Sequence, residues 1–199
     1  MKKINKKYFE YIIQTFLIIF SVLFALFLDE YRSNLKTDKE LKQILFNVKQ
    51  EIENNKTINN DMISYHEIVR KNIERVSETD SGIDSLKSDF GFQFHIIAPY
   101  GLMRKSVSNS VWQTAKLNPS LNSIDFKKLQ VIGSAYSQQQ AIFEQVLILT
   151  ELLRSREMLS NDKTYENLFL LYKEIIELKE KEVELNRIYD NLLKELDLE

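Results

Sequence analysis

Residues 11 to 28, YIIQTFLIIFSVLFALFL, are apolar around the whole circumference of a helix, and few folds accommodate such a run. A soluble domain would have to bury every side of it. At about 1.5 Å rise per residue, ~18 residues cover roughly 27 Å, close to the ~30 Å hydrocarbon core of a bilayer. The run therefore reads as a membrane-spanning helix. Its anchor residues are Tyr11, Ile12, Phe16, Leu17, Ile18, Ile19, Phe20, Leu23, Phe24, Leu26, Phe27 and Leu28. The core helix of a soluble protein is the alternative, because this length is near the lower limit for a span.

Cleavage by a signal peptidase needs small residues at the first and third positions before the cut. Cuts after Ser21 or Ala25 would put Ile19 or Leu23 at the upstream position, and no Cys is present for a lipoprotein anchor. An uncleaved signal anchor is expected. Lys2, Lys3, Lys6 and Lys7 crowd the tail before the span, whereas Arg32, Lys36, Lys39 and Lys42 are spread out after it. Dense positive charge is retained on the cytoplasmic side, and Asp29 and Glu30 weigh little. Residues 1 to 10 are expected inside and 29 to 199 outside. Within the span, Gln14 and Ser21 are seven apart and share a helix face, where they could bond a neighbouring helix or, for Ser21, its own backbone. No ionisable group lies deep in the run, which argues against a proton or ion pathway.

With 28% charged residues but only 4 Gly, 2 Pro and no Cys, the rest of the chain suits one domain of long helices. Residues 1 to 10 carry a charge of +3, so the total of −2 leaves −5 for the remainder. A mildly acidic body without a basic stripe is a poor nucleic-acid binder. Without thiols, and with only His66 and His95 as imidazole ligands, no structural zinc site or other cofactor is expected.

Beyond the span, Leu41, Leu45, Val48, Ile52, Asn55, Asn59, Met62, His66, Val69, Ile73 and Val76 alternate in steps of four and three. This heptad seam predicts one long helix over 29–76. Glu51 and Glu53 fall off the seam and read as solvated charge. Asn55, Asn59, Met62 and His66 form the candidate interaction seam, because polar residues in a heptad seam can set register or partner number. His66 could also titrate near neutrality or touch a ligand; otherwise it is a partly exposed position facing a loop.

Residues 77–106 hold most of the glycines and read as a loop. Within it DFGFQFHII alternates, either as a short strand or, as we prefer, an aromatic-rich irregular connection. Shorter helices follow over 107–117, ended by Asn118-Pro119, and over 124–156, capped by Ser123 or Asp125. The second carries a stripe of Phe126, Leu129, Ile132, Tyr136, Phe143, Val146, Leu147 and Leu153. Leu168, Leu171, Ile175, Leu178, Glu182, Leu185, Tyr189, Leu192 and Leu196 give a second seam in a final helix over 162–197. The expected fold is all-α: a transmembrane helix continuing into an elongated antiparallel helical bundle with coiled-coil-like seams.

The usual signatures of chemistry are missing. Gly82, Gly91, Gly101 and Gly133 are too scattered for a phosphate-cradling turn, and neither G-x-S-x-G nor H-E-x-x-H occurs. The acid cluster Glu180, Glu182 and Glu184 reads as solvated helix charge, so no enzyme is expected. Phe90, Phe92, Phe94, Tyr100 and Trp112 are the candidate pocket, with ordinary core filling as the plainer explanation.

Ala25-Leu26 near the exit of the span, the Leu41 to Asn55 helix and Ser110-Val111-Trp112-Gln113-Thr114-Ala115-Lys116 together resemble a bacterial family of single-pass membrane proteins known only as a domain of unknown function. Its spans open with Tyr and a Gly-Glu pair and end Ala-Leu, followed by Asn-Asn-Trp. Here Ile13-Gln14 stands in place of Gly-Glu, and Asp29-Glu30-Tyr31 in place of Asn-Asn-Trp, so the intramembrane acid is gone. The resemblance touches much of residues 7–136 and implies an anchored helical domain without a known activity.

The sequence thus points to a single-pass inner-membrane protein whose periplasmic part works by contact, as a scaffold or regulatory subunit. Its expected partners are the bilayer and either another membrane or periplasmic protein or a second copy of itself. Residues 1 to 10 are too short for an effector domain. A ligand-binding sensor accessory with the aromatic pocket is the second reading.

Overall fold

The computed structural model describes residues 6–89 and 91–197, so part of the basic tail and the pocket candidate Phe90 lie outside the described residues. Every regular element among them is helical: α1 (Lys6–Ser77), α2 (Asp80–Ser85), α3 (Phe94–Ile97), α4 (Ser110–Ala115), α5 (Phe126–Leu153) and α6 (Thr164–Leu196), with three 3-10 turns. The apolar run and the seam that follows it belong to one uninterrupted helix of 72 residues. No Gly or Pro lies within it to break the backbone hydrogen-bond ladder.

Three long helices pack side by side, with α6 against both α1 and α5. Side-chain bonds fix the direction. Lys56 pairs with Asp190, His66 with Glu182 and Tyr172 with Glu74, so α1 rises as α6 descends. Lys127 meets Glu195 and Gln145 meets Glu174, so α5 is also antiparallel to α6. The three-four seams are the faces that meet: Val48, Ile52, Val69 and Ile73 of α1 and Leu168, Leu171, Ile175, Leu178, Leu185 and Leu192 of α6 are all at most 2% exposed. Full burial of such a side chain contributes roughly 1.5–3 kcal/mol.

Two sequence expectations are corrected and two open alternatives are resolved. The loop expected over 77–106 contains two short helices, because Thr79 accepts from the Gly82 amide at 3.0 Å and starts α2. A Cβ on Gly82 would sit 2.3 Å from the Val76 carbonyl oxygen, so glycine is what lets α2 fold back on the end of α1. The alternating aromatic stretch contains one helical turn, α3, and no strand among the described residues. On α5, Phe126, Phe143 and Leu147 face solvent, while Ala135, Gln139, Ile142 and Leu149 join Ile132, Tyr136 and Val146 in the core. A buried face on a straight helix drifts by about 20° per heptad, so a fixed seven-residue spacing loses it. Asp125, not Ser123, caps α5, accepting from the Lys127 and Lys128 amides.

Residues 8–36 of α1 are exposed throughout. Side chains of the apolar run stand 37–66% exposed, among them Leu28 at 37% and Ile18 at 66%. It is the one helix among the described residues long and apolar enough to cross a membrane.

Candidate functional site

The polar side chains of α1 that interrupt its apolar seam are sockets for the chain's own irregular segment. From Ile97 to Val111 the backbone runs antiparallel along α1, and α1 holds it at each step. Asn72 donates to the Ile97 carbonyl at 3.0 Å, and the Tyr65 hydroxyl donates to Gly101 O at 2.8 Å while receiving the Tyr100 amide at 3.2 Å. Asp61 pairs with Lys105 at 2.5 Å. Asn55 brackets Ser108, donating to its carbonyl at 2.6 Å and accepting its amide at 2.8 Å. A segment without regular structure thereby satisfies its backbone groups.

Glu51 completes this ladder. Its Oε1 accepts from the Val111 amide and the Ser108 hydroxyl, each at 3.0 Å, and from the Ser110 hydroxyl at 3.3 Å. Its Oε2 accepts from the Tyr136 hydroxyl at 2.6 Å. A carboxylate in this position favours the N-terminus of α4, where backbone amides lack partners. The expectation of solvated charge is corrected: Glu51 is 7% exposed. Burial, with Glu51 beside it, pushes the Tyr136 phenol well above its ordinary range.

His66 and Glu182 form the second centre, 1% and 2% exposed. His66 Nδ1 lies 2.9 Å from Glu182 Oε2 and its Nε2 lies 2.8 Å from the Leu102 carbonyl. A carbonyl only accepts, so Nε2 carries hydrogen. The contact to Glu182 then needs one shared proton, on either the imidazole or the carboxyl, and the pair is neutral overall in both forms. Burial pushes the Glu182 carboxyl up from its ordinary value, with His66 opposing. Asn59 donates to the Glu182 carbonyl at 2.7 Å and to Asn186 Oδ1 at 2.9 Å. The loop-facing position expected for His66 does face a loop, but it is sealed from solvent. Glu182, expected to be solvated with Glu180 and Glu184, is interior for the same reason: it lies on the α6 seam.

The four residues of the candidate interaction seam, Asn55, Asn59, Met62 and His66, are thus at most 5% exposed and engaged within the chain. They are not a surface for a second molecule. Among the described residues the aromatic pocket is also not assembled. Trp112 stacks on Tyr136 at a centroid distance of 5.5 Å beside Glu51, whereas Tyr100 leans on Tyr65 and is 65% exposed. Glu51 and Tyr65 are 14 positions apart on α1. That separation is about 21 Å along the axis. Phe92 and Phe94 pack half-buried against the core. A hollow of about 20 Å³ lies beside His66 and Glu182, room for one water molecule rather than a substrate. No cluster of three or more metal-ligating side chains occurs among the described residues.

Closer to the surface, hydrogen bonds from Arg70 and Lys179 hold the Glu67 carboxyl down to about 2 from 4.5. A depressed carboxylate contributes stability that is present above about pH 4.5 and is lost as pH falls toward 2. Glu67→Gln is therefore expected to flatten the acid limb of a midpoint-versus-pH curve over that window. An unchanged acid limb would show that the α1–α6 ion pair does not form in solution.

No protein-family model, no curated protein and no solved structure matches this chain. The site therefore has to be read from its own chemistry, which is that of internal hydrogen-bond satisfaction.

Proposed function

We propose that this chain is a single-pass anchored helical protein whose body stands outside an inner membrane and acts by protein contact, as a scaffold or regulatory subunit. One observation carries this reading: residues 11–28 are apolar on every side and unburied, in a fold whose other long helices bury their seams. Exposing so much apolar surface to water is unfavourable, and a bilayer relieves it. The continuous helix favours a stiff connection from the span to the body. A body whose buried titratable groups, Glu51, His66 and Glu182, are locked in internal bonds suits presentation of a surface better than chemistry.

The absence of cysteine makes topology directly measurable. Single cysteines placed at Ser33 and at Lys3 of the full chain in bacterial cells should differ in reactivity toward a membrane-impermeant maleimide. Labelling of position 33 in cells with a permeabilised outer membrane, and of position 3 only after lysis, is expected. The reverse pattern would put the body in the cytoplasm, and equal labelling would remove the span.

A further inference from the structure

The seam that faces the body begins at Leu41, yet a different heptad row starts earlier on α1 and leaves the membrane with it. Gln14, Ser21, Leu28 and Leu35 recur every seven residues. Leu17, Phe24 and Tyr31 fill the alternate positions, giving steps of three and four throughout. Beyond Leu35 the same positions become Asp38 and Lys42, so the row ends in charge. It spans about three heptads, or roughly 32 Å.

Three features set this row apart from an ordinary lipid-facing surface. First, it continues into water: Tyr31 and Leu35 are 55% and 52% exposed on a stretch of α1 that is exposed on every side. Helices in water draw most of their stability from packing an apolar face, and here that face is bare. Second, the body does not cover it. Thr37, Glu40, Leu41 and Ile44 are the half-buried positions where the body begins, and at 100° per residue they lie on roughly the opposite side of the helix. Third, the Gln14 carboxamide has no hydrogen-bond partner among the described residues, whereas the Ser21 hydroxyl donates to Leu17 O at 2.7 Å. A carboxamide both donates and accepts, so two of them satisfy each other across a helix pair.

We propose that two copies of this chain pair in parallel along this row, from Gln14 in the membrane to Leu35 outside it. This inference rests on the anchored reading above. A partner must present apolar positions at the same bilayer depth and again just beyond it. A second copy on the same membrane does so with identical spacing and in register, and polar groups at such positions favour in-register pairing. The interchain contact thus belongs to the anchor and stalk, and the bodies, on the far side of each α1, stay free to meet other proteins.

The test is a cysteine scan of the stalk in the full-length chain in native membranes, with Tyr31→Cys and Leu35→Cys on the row and Ser33→Cys and Lys36→Cys off it. Disulfide formation requires the two Cβ atoms to approach within about 4.5 Å. Copper-phenanthroline oxidation should give several-fold more dimer at 31 and 35 than at 33 and 36. All four positions are exposed, and Lys36 gives up only a surface ion pair with Glu40, so the substitutions leave folding intact. Carbonate extraction of the same samples reads the anchor separately. A chain that stays in the pellet with no dimer, or with equal dimer at all four positions, overturns the pairing and leaves the anchor standing. A chain released to the supernatant overturns the anchor and the pairing with it.

Discussion

Removing either member of the His66–Glu182 pair should cost the body about 3–5 kcal/mol, because the partner is left buried and uncompensated. For His66→Ala the Leu102 carbonyl loses its donor as well, so the Ile97–Val111 segment should loosen along with the α1–α6 contact. Urea unfolding in detergent micelles gives the energy, and limited proteolysis between residues 97 and 111 gives the loosening. The pair also makes a prediction of opposite sign for its double replacement. His66→Leu combined with Glu182→Met fills the same space with apolar groups, and such replacements are often neutral or stabilising. The double variant should therefore recover most of what either single variant loses. Single variants that cost under about 1 kcal/mol would mean that water reaches the pair, contrary to its burial. Because burial raises the Glu182 carboxyl, its contribution favours folding at low pH and is lost as pH rises above about 4.5. That is the reverse of Glu67.

The largest effect of all is expected in the span. Ile19→Arg together with Leu23→Arg places two guanidinium groups near its centre, each at about 2.5–3.5 kcal/mol on insertion scales. Their sum, about 5–7 kcal/mol, corresponds to a shift on the order of 10⁴ or more in the insertion equilibrium. Neither residue is on the proposed pairing row, and both are exposed in the fold. The double variant should move from the carbonate pellet to the supernatant while keeping the helical circular-dichroism signal of the body. Retention in the pellet would show that membrane association resides elsewhere in the chain.

Periodicity made much of the architecture legible. A seam of eleven positions without Gly or Pro dictates a long helix, and two such seams in one chain can cover each other, which is how α1 and α6 meet. The apolar run is a one-dimensional property, so its length and its all-round hydrophobicity were complete in the sequence. What periodicity did not reach was the partner of each polar residue. Glu51 sits one position before Ile52 and reads as surface charge until α4 and Tyr136 arrive from 60 and 85 residues away. Tyr100 and Trp112 of the expected pocket are close in sequence but lie far apart along α1, because the segment that carries them is stretched out on the helix rather than coiled at its end.

Local spacing thus determined on its own where the helices run, which faces are apolar and that one stretch suits a bilayer. These follow from the 3.6-residue turn and from transfer energies that each residue carries with it. Only the tertiary structure decided that Asn55, Asn59 and His66 look inward to the chain's own backbone, that Glu182 and His66 share one proton, and that the exposed row on α1 is a different one. Those outcomes depend on which groups meet across 36 or more residues of chain, and hydrogen bonds in a desolvated interior are set by position in space, not by place in the sequence.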